Sequence, residues 1–171
     1  MNDLEDDGSD QEIIDFYIKE IKSRYKNFTD EKIANMVNLD QESKSKSRKE
    51  QPYLRAILYG DSEESQCAIC QKIIPVNLMV AAHIKPRSKC SLSERKNINI
   101  VMPVCKIGCD DFFEKGYIIV NDSGVIGINP KLNCTDDVRL IIDTLEGNVC
   151  TYFSEDTSDF FRYKVKLVTM N

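Results

Sequence analysis

Histidine is nearly absent: there is one in 171 residues, so any imidazole chemistry rests on His83. Long apolar runs are missing too. None approaches the roughly 20 residues that a membrane span requires, which excludes a transmembrane helix as a reading of this sequence. The start, Met1-Asn-Asp-Leu-Glu-Asp-Asp, lacks the basic-then-apolar pattern of a secretory signal. An excess of positive charge is also lacking, since 23 Lys and Arg stand against 28 Asp and Glu, a net −5. That counts against non-specific polyanion binding by the whole surface but leaves room for a local basic face. Together these absences predict a cytoplasmic protein with no membrane partner.

What the chain does have is cysteine, seven in all. In a reducing compartment paired cysteines favour metal ligation over disulfides. Cys67-Ala-Ile-Cys70 is a knuckle, because two thiolates two residues apart can reach one tetrahedral ion. Cys105 and Cys109 form a second close pair, and the two pairs flank one compact segment that contains His83. The spacing predicts structural zinc on Cys67, Cys70, Cys105 and Cys109. Cys90, Cys134 and Cys150 fall outside the pattern and are assigned to packing or surface.

The periodicity predicts an α+β chain. Residues 1–10 read as a disordered acidic start. Apolar residues at helical spacing from Gln11 to Phe28, and a helix start at Thr29-Asp30, give a helical arm over 11–47. Residues 40–52 are charged with no apolar face, either a solvated linker or phosphate contacts through Lys44, Lys46, Arg48 and Lys49. Tyr53 to Tyr59 reads as a short helix ending at Gly60. Strands are expected around 73–84, with His83 near the end and Pro86 blocking continuation, and again from Ile98 to Val104. A helix is expected over 110–115, and a hairpin from Tyr117 turning at Asn-Asp-Ser-Gly. A further helix should cover 136–145, with an extended piece at 149–153. Residues 160–170 are amphipathic and fit helix or strand.

A lone histidine on a strand is most often structural. Its place between the cysteine pairs, before Lys85, Arg87 and Lys89, suggests another use. A neutral imidazole there can take a proton from water near a phosphate. Asp110 and Asp111 open the following helix, where acids are common because of the helix dipole. Either carboxylate also suits Mg2+, which prefers oxygen.

This stretch resembles the HNH (ββα-metal) endonuclease family in its zinc-knuckle-framed, restriction-endonuclease-like form. The resemblance is carried by the order Cys67-Ala-Ile-Cys70, then Ala82-His83-Ile84-Lys85-Pro86, Val-Met-Pro-Val-Cys105 and Asp110-Asp111-Phe-Phe-Glu-Lys-Gly116. It covers roughly residues 48–130, leaving 131–171 as a C-terminal extension. It implies a zinc-bound ββα core, with His83 as general base, Asn99 (with Asn97 as second candidate) pinning the loop that aims it, and Asp110 holding a catalytic Mg2+ or Mn2+. The implied substrate is DNA, with RNA left open, contacted through Lys85, Arg87, Lys89, Arg48, Lys49 and Arg55. Double-strand cleavage would favour a homodimer, since one site cuts one strand per event. The chain departs from the family pattern at Ala82, where many members carry aspartate, at Ile100, directly before the core strand, and at the helix start, which lacks histidine. These departures support a second reading, a catalytically weakened zinc-stabilised module that binds nucleic acid or protein.

Overall fold

The computed structural model of the protein describes residues 7–42 and 49–170. Lys44, Lys46 and Arg48 of the expected basic run, and residues 1–6 of the acidic start, lie outside the described residues. The chain divides into two units, residues 1–61 with 90–98, and residues 62–89 with 99–171.

The first unit is helical. It contains α1 (Asp7–Arg24), α2 (Asp30–Glu42), α3 (Gln51–Tyr59) and a short α4 (Leu92–Arg95). Helix α1 already covers part of the stretch read as disordered. Ile13, Tyr17 and Ile21 recur every four residues along it and are fully buried. They share a core with Phe28, Ile33, Leu54 and Ile57. Pro52 sits in the first turn of α3, where its missing N–H costs nothing. Ser91 and Glu94 form a capping box that starts α4, between the two stretches expected as strands.

One buried ion network closes this unit. Arg95 Nε donates to Glu50 Oε1 at 3.0 Å, and the guanidinium also pairs with Asp10. The Glu50 side chain is 1% exposed. The Tyr17 hydroxyl donates to the Arg95 carbonyl, and Lys96 pairs with Glu12. Removing one member of a buried pair strands the other charge, at a cost of about 3–5 kcal/mol. Glu50→Ala is therefore expected to lower the urea midpoint of the helical signal sharply. Joint replacement of Glu50 and Arg95 by methionine should recover most of the loss, and a single variant as stable as the double one would contradict this account.

The second unit holds three two-stranded antiparallel sheets. β1 (Glu64–Gln66) pairs with β2 (Ile73–Pro75) around the first knuckle. β3 (Met79–His83) pairs with β4 (Val101–Cys105), from Met79↔Cys105 at one end to His83↔Val101 at the other. Residues 98–100, expected as strand, form a 3-10 turn before β4. Every residue of β4 is buried. α5 (Cys109–Glu114) follows, then β5 (Ile118–Val120) and β6 (Ile126–Ile128), joined by the expected turn. α6 (Asp136–Asp143) starts at Thr135, whose hydroxyl accepts from the Val138 N–H. The extended piece expected at 149–153 reduces to one bridge, Val125↔Val149. The ambiguous stretch at 160–170 is helix up to Thr169, within α7 (Ser158–Thr169). The α+β class expected from the sequence is the class observed.

α7 docks on α5 and on the turn that follows it. Phe161 meets Phe113 edge-on, with ring centroids 6.2 Å apart. Lys164 is buried and its ammonium donates to the Glu114 carbonyl at 2.7 Å. Burial holds that lysine below its ordinary pKa range. Gly116 takes φ +79°, and a Cβ there would lie 2.8 Å from Val168. Gly116→Ala meets both a left-handed backbone cost of about 1–2 kcal/mol and a clash. It should lower the melting temperature of this unit, whereas an unchanged midpoint would show that α7 yields freely.

Candidate metal centre and histidine site

The first knuckle is built by local hydrogen bonds. Cys67 N–H donates to Lys72 O at 3.0 Å, and Gln71 N–H to Cys67 O at 2.9 Å. Gln71 closes the turn at φ +61°. The knuckle is fastened to the central hairpin through Ala68 N–H, which donates to Pro103 O at 2.8 Å, and to the tail through Thr151 N–H, which donates to Ala68 O at 3.2 Å. β4 then delivers Cys105 and the first turn of α5 delivers Cys109. The Cys105 N–H donates to Cys67 Sγ at 3.4 Å.

The four Sγ atoms of Cys67, Cys70, Cys105 and Cys109 lie within 4.8 Å of one another. Cys70 and Cys105 are 4.0 Å apart, sulfur to sulfur. A tetrahedron with Zn–S bonds of about 2.3 Å has edges of about 3.8 Å. The four thiols therefore fit a thiophilic ion such as zinc. The four thiols differ in how readily they give up a proton. Hydrogen bonds with Cys105 and Cys109 hold Cys67 far below the ordinary thiol range, hydrogen bonds with Cys105 and Cys67 push Cys109 far above it, and burial raises Cys70 to about 11. A dication that draws off all four protons removes this difference. Cys150, raised to about 11 by burial, packs against Met102 and stands apart from the cluster.

His83 lies at the opposite end of the β3–β4 pairing from Cys105. Four residue steps separate these ends, about 13 Å at roughly 3.3 Å per residue. A metal held by the four thiols would therefore lie too far from the imidazole to activate a water beside it. His83 is half-buried, and both ring nitrogens are shielded from solvent. Pairing continues past it through Ile84 N–H to Ile100 O at 2.8 Å. Asn99 is exposed in the 3-10 turn that enters β4. Asp110 is half-buried in the first turn of α5, while Asp111 is exposed and engaged by Lys115 at 2.6 Å. The four cysteines are the one group of three or more His, Cys, Asp or Glu side chains brought together among the described residues. His83 and Asp110 do not belong to a second such group.

The expected phosphate contacts are distributed unevenly. Arg87 is half-buried and Lys89 exposed, in a 3-10 turn beyond the hairpin. Lys49 is exposed, and Arg55 lies over the Tyr59 ring at 5.3 Å. Lys85 is 9% exposed, with its ammonium 4.4 Å from the Tyr163 ring centroid. Arg95 and Lys96, at the end of the same basic stretch, are committed to Glu50, Asp10 and Glu12. Nothing in the local sequence singles out Tyr163 or Lys164, because the segment that carries them fits two periodicities.

No protein-family model matches the chain, and no curated protein matches it. No helix among the described residues is long and apolar enough to cross a membrane.

Proposed function

We propose that the protein is a metal-dependent endonuclease of the HNH type that hydrolyses phosphodiester bonds in DNA. One observation carries the reading. The sole histidine ends the first strand of an antiparallel pair whose second strand runs through a four-thiol cluster into a short helix that carries Asp110 in its first turn. Strand, strand and helix follow one another in the order that the family resemblance implies.

In this mechanism a neutral His83 takes a proton from the attacking water as the water oxygen bonds to phosphorus and the P–O bond to the leaving oxygen breaks. Asp110 would hold a divalent cation together with water and the substrate phosphate, a sparse ligand set that Mg2+ accepts. When bound, the cation offsets charge on the phosphoryl and leaving oxygens. Asn99, at the entry to β4, would steady the loop opposite His83. Arg87 and Lys89 would meet the phosphate backbone, which positions a duplex without reading its sequence.

The solvent-shielded imidazole nitrogens favour a second reading, a zinc-stabilised binding module. Nicking of supercoiled plasmid separates the two. Purified protein with Mg2+ or Mn2+ is compared with EDTA and with His83→Ala. Metal-dependent nicking lost in the variant supports the nuclease, and no cutting by a folded, metal-loaded wild type supports the module.

A further inference from the structure

We infer that α7 is a brace for the candidate site, with Tyr163 and Lys164 as positioning residues. Tyr163 holds the strand carrying His83 by way of Lys85, and Lys164 holds the helix carrying Asp110. This assignment rests on the nuclease reading for its kinetic consequence but not for its geometry.

The argument starts from what is fixed at each end of the strand–strand–helix element. At one end the cysteine cluster joins Cys105 of β4 to Cys109 of α5. At the other end β3 finishes at His83, pairing runs on one residue through Ile84, and Pro86 stops it. Lys85 lies between them, and its ammonium sits over the Tyr163 ring at 4.4 Å. A desolvated cation over an aromatic face is held more firmly than an exposed one. The next residue of α7, Lys164, donates to the Glu114 carbonyl in the last turn of α5. Its ammonium also lies over Phe113 at 5.3 Å. The exit of β3 and the end of α5 therefore converge on adjacent residues of one helix. Thiols fasten the element at its near end, and two lysine contacts fasten it at its far end.

The same contacts revise the role of Lys85. A phosphate-contacting lysine presents its ammonium to solvent, yet this one is held against an aromatic ring within the fold. A phosphate contact and a positioning contact leave different signatures. Losing the first weakens binding and reduces the salt dependence by about one ion. Losing the second misplaces the base, and small misplacements lower turnover without altering affinity.

The test uses the full chain carrying Tyr163→Leu, Tyr163→Phe, Lys85→Met or Lys164→Met. His83 is the only histidine, so its imidazole gives one unambiguous NMR signal. Tyr163→Leu and Lys85→Met should shift that signal in the same sense, and Tyr163→Phe, which keeps the ring, should restore it. Metal content should stay at the wild-type value throughout. In plasmid nicking, kcat should fall roughly ten-fold in the first two variants with KM within about two-fold. An imidazole signal unmoved by Tyr163→Leu would overturn the proposal. So would a Lys85→Met protein whose KM rises while its salt dependence falls. If Lys164→Met fails to fold, the Tyr163 pair still decides. If the wild type does not cut DNA, the nuclease reading fails by itself and the imidazole signal alone judges the brace.

Discussion

Cys70→Ser is expected to release the bound metal and unfold the region around the β3–β4 hairpin. Cys70 is the half-exposed member of the cluster, so its thiol contributes little by packing, and its loss tests ligation more than burial. Hydroxyl is a poor replacement for thiolate on a soft ion. Structural zinc in small domains supplies about 10–16 kcal/mol of apparent binding energy, and that energy is folding energy. The three sheets here have only two strands each, too few for independent stability without outside support. Zinc content and cooperative thermal melting, measured on the same sample, check the prediction. A Cys70→Ser protein with full zinc and an unchanged melt would remove the four-cysteine site. Acid should mimic the substitution, because thiolates bind metal only when deprotonated. Metal-dependent stability is present at neutral pH and lost as falling pH returns protons to the sulfurs. A strong chelator at neutral pH should reach the same end state.

His83→Ala should abolish metal-dependent nicking while leaving metal content and melting close to wild type. A positioned general base contributes roughly 10²–10⁴-fold in rate, so its removal takes slow plasmid cleavage below detection. The fold should tolerate the change. His83 ends its strand, is half-buried, and faces Val101 across a pairing whose register is also held by Met79↔Cys105. Equal nicking by both proteins would locate the activity in a contaminant and sink the assignment of His83 as base. Because the imidazole nitrogens are shielded from solvent, substrate has to expose them. Turnover should therefore be more sensitive than binding to substitutions that stiffen the hairpin, such as an added cross-strand aromatic pair.

The parts of this structure legible in the sequence are those encoded by short spacing. Two thiols two residues apart imply a knuckle, and the hairpin turn announces itself through Asn-Asp-Ser-Gly. His83 falls on a strand because alternating apolar residues precede it and Pro86 follows. The illegible parts depend on partners distant in the chain. Lys85 looks like a surface cation until Tyr163 is brought over it. Arg95 and Lys96 look like surface cations until Glu50, Asp10 and Glu12 claim them. β1, Glu-Ser-Gln, carries no alternation and exists only because Ile73–Pro75 lies alongside. α7 was ambiguous because its apolar residues fit both periods until α5 gave its inner face something to cover.

The ion network around Arg95 also governs the order in which the chain can mature. The helical unit recruits residues 90–98, which leave a ribosome only after β3 has been made. Vectorial synthesis thus presents three helices whose closing guanidinium is still about 35 residues away from the end of α3, several seconds at typical translation rates. Through that interval the Arg95 guanidinium has not yet been made, so the Glu50–Arg95 pair cannot form. The helical unit must wait for a piece of chain delivered from beyond the first strand of the hairpin, so the two units mature in overlapping time rather than one after the other. A fragment ending at Asp61 would remain in that waiting state permanently.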